Sequence, residues 1–155
     1  MPFYERKSPR ISNYDYSKGN YYFVTLCTHE HRCIFGRPGE LNRFGFIAQR
    51  DILNIPQHYS GVTIDKFVVM PNHIHGIIVL EDRADNPSIS KIIALYKTGV
   101  TKQLRKFDPD LQVWQRSFHD HIIRNQKGYE KIWSYIDYNP IQWEMDKFYR
   151  DCNET

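Results

Sequence analysis

The stretch Phe67-Val68-Val69-Met70-Pro71-Asn72-His73-Ile74-His75-Gly76-Ile77-Ile78-Val79-Leu80 decides how this chain folds. Apolar runs flank Pro71-Asn72, which reads as two strands joined by a hairpin turn. Successive side chains of a strand point to opposite faces, so His73 and His75 share one face and Ile74 takes the other. Two neutral imidazoles side by side are a ready pair of metal ligands. They need one or two oxygen donors from elsewhere to hold a divalent cation and still leave positions open for a substrate. The competing reading is a pair of half-buried strand histidines that simply hydrogen-bond their neighbours.

Working outward, hydrophobic patterning predicts a strand near residues 21–28, a helix within 44–55, strands near 63–70 and 74–80, and a helix from about Ile89. A short extended region around Trp114 and a helix from Gln126 follow. Strand, helix, strand, strand, helix and a further strand is the ferredoxin-like split arrangement. The expected class is therefore α+β, an antiparallel sheet with helices packed on it. In the segment 89–106, Ile89, Ile92, Ile93, Tyr96, Val100 and Leu104 fall on one helical face, and Lys97, Lys102 and Arg105 on the remainder. Gly99 costs that helix about 1 kcal/mol relative to alanine, which predicts a bend or a close approach.

In the helix from Gln126, Tyr129, Ile132, Trp133 and Ile136 form one apolar stripe, with Tyr135 and Asn139 a turn apart on its flank. Laid against the histidine face, the Asn139 amide oxygen completes a metal site and the Tyr135 phenol reaches a substrate held there. A phenol with a pKa of about 10 is a poor nucleophile unless a cation or an activated electrophile stands nearby. Local sequence also allows a different job for Asn139. Followed by Pro140, it reads as the stop of one helix and the N-cap of the next. Asp137 is a harder oxygen donor on another face, and Tyr138 is a rival tyrosine.

Together the His73-Ile74-His75 strand, the Tyr135-x-x-x-Asn139-Pro140 run, the intervening Trp114-Gln115-Arg116-Ser117-Phe118-His119-Asp120-His121 and the N-terminal Tyr14-Asp15-Tyr16-Ser17 and Tyr22-Phe23-Val24-Thr25 resemble a known family. They are similar to the single-strand-DNA transposases of the HUH superfamily, most closely the REP-associated tyrosine transposases, over about residues 14–143. The resemblance implies an HUH-type nuclease domain in which the tyrosine helix crosses the histidine strand. It implies Tyr135 as nucleophile on a DNA phosphodiester, giving a 5′-phosphotyrosine link and a free 3′-hydroxyl. It implies His73, His75 and Asn139 as ligands of Mg2+ or Mn2+, and single-stranded DNA with a hairpin as partner, bound by a monomer or a homodimer. The wider class commonly has glutamine where this chain has Asn139, so the third ligand stays open. Relatives often carry tyrosine where this chain has Phe118, which removes one rival nucleophile.

Composition agrees with that reading. With 155 residues, 41% of them hydrophobic, and no linker or charge run, one domain over 1–155 is expected, with 1–13 as a basic arm. A net charge of +3 suits a local phosphate-binding surface, for which Lys97, Lys102, Arg105, Arg116 and Arg124 are the DNA-contact candidates. Tyr14, Tyr16 and Phe118 are the candidate base-stacking rings. Cys27, Cys33 and Cys152 are odd in number and lack a C-x-x-C pair, and no secretory or membrane-spanning run is present. Reduced thiols in a cytoplasmic, nucleoid-associated protein are expected. His29-Glu30-His31 is a second H-x-H, discounted because it sits in a polar, loop-like stretch. Two other functions fit the same residues: a hairpin-binding module that does not cut, and a metal-dependent phosphodiesterase that uses water and makes Tyr135 dispensable.

Overall fold

The computed structural model describes residues 20–154. In chain order its elements are β1 (Tyr21–Cys27), β2 (Gly36–Arg37), β3 (Glu40–Leu41), α1 (Arg43–Leu53), α2 (Ile55–His58), β4 (Val62–Val69), β5 (His73–Leu80), α3 (Ile89–Leu104), β6 (His119–Ile122) and α4 (Gln126–Tyr138). Each long helix begins at a side-chain cap that satisfies an otherwise orphan N–H. Asn42 accepts from Gly45 N at 2.9 Å, Ser88 from Lys91 N at 3.1 Å, and Asn125 from Gly128 N at 2.7 Å.

The main sheet has four strands in the order β4-β5-β1-β6, and every neighbouring pair is antiparallel. This is the ferredoxin-like order expected from the succession of elements. The residues between β4 and β5 form the turn placed at Pro71-Asn72, and β5 is buried along its whole length. One face carries Val24, Leu26, Ile74 and Ile78 and is covered by α1 and α3 through Ile52, Ile92, Ile93, Tyr96 and Val100. The opposite face carries Tyr21, Ile77 and Val79 and is covered by Tyr129, Trp133 and Ile136 of α4. Burying each such side chain contributes roughly 1.5–3 kcal/mol, so both layers are held by their apolar stripes. A bulge between Ile64 and Lys66 re-aims β4 toward α4. There the Tyr129 hydroxyl donates to the Asp65 carboxylate, and Lys66 Nζ reaches Asp137 Oδ1 at 2.7 Å and lies 4.1 Å from the centre of the Trp133 ring.

Several local expectations fail, each for a physical reason. α3 runs unbroken through Gly99, whose nearest neighbour on the side a Cβ would occupy is the Asp51 carboxylate at 3.9 Å, so ordinary packing tolerates the glycine. Trp114 makes one bridge to Thr28 and no longer strand. Asn139 closes α4 with helical φ and ψ, and no α-helix starts at Pro140, because the chain turns there toward a short 3-10 turn at Trp143–Met145. The cysteine expectation is corrected too. Cys33 and Cys152 form a disulfide with Cα atoms 5.4 Å apart, leaving buried Cys27 as the free thiol. A pair separated by 119 residues has no local spacing signature, which is why the sequence reads as unpaired thiols. The 1–13 arm, Tyr14 and Tyr16 lie outside the described residues. No described helix is long and apolar enough to cross a membrane.

The disulfide is checked by counting thiols. Alkylation of the denatured chain without reductant should modify Cys27 alone, and prior reduction should expose all three cysteines. Modification of all three without reductant would remove the bond from this account.

Candidate metal and tyrosine site

The pleat of β5 sends His73 and His75 to the face covered by α4, and both imidazoles are buried, with 0% and 2% exposure. Their ring centres are 4.7 Å apart. Thr25 and Cys27 are the cross-strand partners of His75 and His73. Thr25 Oγ1 lies 2.9 Å from His75 Nδ1, and Asn72 Oδ1 lies 2.8 Å from His73 Nδ1. Each histidine therefore has its Nδ1 engaged and its Nε2 turned inward.

Asn139, at the end of α4, reaches the same point. Its Oδ1 lies 3.2 Å from His73 Nε2, and its Nδ2 donates to Asp146 Oδ2 at 2.7 Å. Sequence reading missed Asp146. It follows the Trp143–Met145 turn in a stretch without periodicity, and only the reversal of the chain after Asn139 brings it in. Its side chain is fully buried, its Oδ2 is 3.6 Å from His73 Nε2, and its Oδ1 accepts from Phe148 N at 2.8 Å. Among the described residues, His73, His75 and Asp146 place one ligand atom each within 4.8 Å of one another. Asp137, the alternative oxygen donor, is paired with Lys66 instead.

The electrostatics follow from burial. Desolvation lowers the His73 pKa from 6.5 to about 4, opposed by the Asp146 carboxylate and the Asn139 hydrogen bond. Desolvation holds His75 well below 6.5, with His73 and Lys147 adding to the effect. Both rings are neutral at neutral pH. His73 Nε2, Asn139 Oδ1 and Asp146 Oδ2 crowd together, Asp146 accepting from Asn139 Nδ2, and His75 Nε2 has no hydrogen-bond partner among the described residues. A buried nitrogen without a partner is costly, and a small cation would relieve the cost.

Tyr135 stands beside this cluster. Its ring centre is 5.1 Å from that of His75 and 6.4 Å from that of Phe23, and the residue is 38% exposed, so the phenol borders both the histidines and solvent. Desolvation, then the Asp146 carboxylate, pushes its pKa above 10. Phe148 covers the histidines from the other side, 4.8 Å from the His73 ring, and is itself stacked on His31 at 5.6 Å. His31 packs there against the Phe148 ring.

The cationic candidates are not gathered at this site. Lys97 Nζ donates to the carbonyls of Gln115 and Ser117 at 3.0 and 3.1 Å, tying the Trp114 segment to α3. Arg105 Nε donates to Leu111 O, and Lys102 is exposed on the same helix, in the layer across the sheet from the histidines. Phe118 packs against that same layer's core. Arg116 and Arg124 are exposed and bracket β6, the edge strand beside β1.

The family model described as "Transposase IS200 like" matches residues 16–139. The chain belongs to the IS200-like transposase family. It is an enzyme of the tyrosine transposase class, and the REP-associated branch named from its motifs is the one its relatives carry. A Haemophilus influenzae protein provisionally named a REP-associated tyrosine transposase is 30% identical, with 91% of this chain and 88% of that protein aligned. An uncharacterized protein of the same organism is 36% identical over 96% of this chain and 95% of its own length. A REP-associated tyrosine transposase solved bound to a REP hairpin shares the fold, with a TM-score of 0.58 and 23% identity over 92% of this chain and 74% of that one.

The depressed histidine pKa values predict the sign of the acid response. Between about pH 4 and 6.5 the unfolded chain binds protons that the folded His73 refuses, so folding stability falls as pH drops through that window. Urea midpoints measured across it should decline, and the decline should be shallower in a His73→Gln/His75→Gln variant. Equal slopes would mean that these rings are not buried as neutral groups.

Proposed function

We propose that this enzyme is a metal-dependent single-strand DNA endonuclease and strand transferase in which Tyr135 is the nucleophile and His73 and His75 bind Mg2+ or Mn2+, with Asn139 and Asp146 as the oxygen donors. The observation that carries the reading is the convergence of four acceptor atoms, two of nitrogen and two of oxygen, on one buried point beside an accessible tyrosine. Such a donor set suits a divalent cation. When bound, the ion would draw charge from a non-bridging phosphate oxygen and fix the ester for in-line attack.

The chain's own residues supply the rest. Tyr135 Oη bonds to phosphorus as the P–O3′ bond breaks. The electron pair leaves with O3′, which takes up a proton to become a 3′-hydroxyl, while the phenol gives up its own. The 5′-phosphotyrosine keeps the ester's bond energy, so a later 3′-hydroxyl can attack it and release Tyr135 without a nucleotide triphosphate. Phe148 on one side and α4 on the other keep water from the histidines, which favours transfer to a DNA hydroxyl over hydrolysis.

The substrate we assign is single-stranded DNA carrying a hairpin formed by a repeat. The family match and the hairpin-bound structural neighbour support it. Arg116 and Arg124 are placed to meet a strand crossing the β6 edge, whereas Lys102 and Arg105 would touch DNA only where it wraps to the α3 layer. We assign the protein to the cytoplasm with its DNA, as a monomer or a homodimer, and treat 1–155 as one domain.

Incubation of labelled single-stranded hairpins with Mn2+ or Mg2+, followed by denaturing electrophoresis, tests the chemistry. A slow-migrating protein–DNA adduct is expected, reduced by more than about a thousandfold in Tyr135→Phe, with hairpin binding retained. Cleavage that survives Tyr135→Phe would point to water as nucleophile, and binding without cleavage to a recognition module. Asp146→Asn should raise the Mn2+ needed for half-maximal cleavage by at least about tenfold if its carboxylate is a ligand. An unchanged requirement leaves Asn139 as the oxygen donor.

A further inference from the structure

Asn72 lies in the motif that opens the hairpin strand, yet it does none of the chemistry above, and it is fully buried. Its Nδ2 donates to His31 O at 3.1 Å and to Phe148 O at 2.7 Å. Both partners are backbone carbonyls, which can only accept, so the orientation of this amide is fixed by its surroundings. Its Oδ1 must then be the atom facing His73 Nδ1 at 2.8 Å. An amide oxygen cannot donate. Nε2 also faces acceptors, Asn139 Oδ1 at 3.2 Å and Asp146 Oδ2 at 3.6 Å, so the two sides compete for the one proton of the neutral ring, and a cation at Nε2 would leave that proton on Nδ1, donated to Asn72.

Thr25 does the same for His75. Its hydroxyl is 2.9 Å from Nδ1, and Thr25 is 5% exposed. His75 Nε2 has no hydrogen-bond partner among the described residues in either tautomer. A cation there would satisfy it and leave the ring proton on Nδ1, where the Thr25 hydroxyl accepts it.

We infer that Thr25 and Asn72 are positioning residues that accept the Nδ1 protons of the two histidines and so aim both Nε2 atoms at one cation. The inference rests on the metal reading proposed above and adds how the chain prepares that site. Asn72 has a second task. By donating to Phe148 O it anchors the segment that carries Asp146, so one side chain orients a histidine and docks the carboxylate beside it.

Histidine-tuned long-range 1H–15N spectra of the full chain, at a fixed Mg2+ concentration that saturates the wild type, read the tautomers directly. Wild type should show Nδ1–H for both rings, and Thr25→Val should release His75 into a mixture while leaving His73 unchanged. Mn2+ titration followed by electron paramagnetic resonance should show roughly 10- to 100-fold weaker binding in Thr25→Val. Thr25→Ser, which keeps the hydroxyl, should restore both signals, whereas a role in packing alone would not distinguish the two variants this way. An Nε2–H tautomer for either ring in wild type, or wild-type Mn2+ affinity in Thr25→Val, overturns the inference. A wild-type chain that binds neither Mg2+ nor Mn2+ refutes the metal reading itself, whatever Thr25→Val does.

Discussion

Burial of β5 along all eight residues is the constraint from which the rest of this site follows. A central strand covered on both faces would ordinarily be apolar throughout, and this one spends two positions on imidazoles. Removed from water, those rings stay neutral and must find partners in the protein. Two partners come from β1 and from the turn before β5 and engage the Nδ1 atoms. The other ring nitrogens are turned to a point where α4 and the chain after it bring oxygen atoms. The fold concentrates this site, since the sheet and helix contacts that form the core deliver the two histidines and Asn139, and the chain leaving α4 adds Asp146.

The apolar stripes explain what the sequence made legible. Alternation around Pro71-Asn72 and the 3.6-residue spacing of α3 and α4 are local signals, so element order, sheet class and the shared face of His73 and His75 could be read without a structure. Tyr135 and Asn139 were legible for the same reason, because their one-turn spacing on the flank of a buried stripe is a property of α4 alone. Their approach to the histidines was not: no periodicity states which strand a helix crosses, and only family resemblance supplied it. Asp146 had no signal of any kind, being placed by a reversal after the helix. Lys97 reads as a phosphate contact by charge, yet its ammonium is held by two carbonyls, a choice made by tertiary packing.

The segment after α4 is tied down at separate points, which is why a non-helical stretch can present a fixed carboxylate. Asp146 takes a hydrogen bond from Asn139, Phe148 offers its carbonyl to Asn72 and its ring to His31, and Cys152 is bonded to Cys33. Asn153 accepts from Arg37 at 3.0 Å, so even the β2–β3 hairpin takes part. An Asp on an untethered tail would lose much of its effect to chain entropy. Held this way, it acts as part of the core.

Asp146 also changes the character of the site. Two histidines and an amide would leave the full charge of a divalent ion directed at phosphate, whereas a carboxylate offsets part of it and in return binds a hard cation more tightly. The same carboxylate raises the Tyr135 pKa, second only to burial, when no cation intervenes. A divalent cation held by Asp146 and the histidines would oppose that effect, because the phenol would then face positive charge. In the proposed mechanism, metal binding and nucleophile activation would thereby be coupled through one side chain, Asp146.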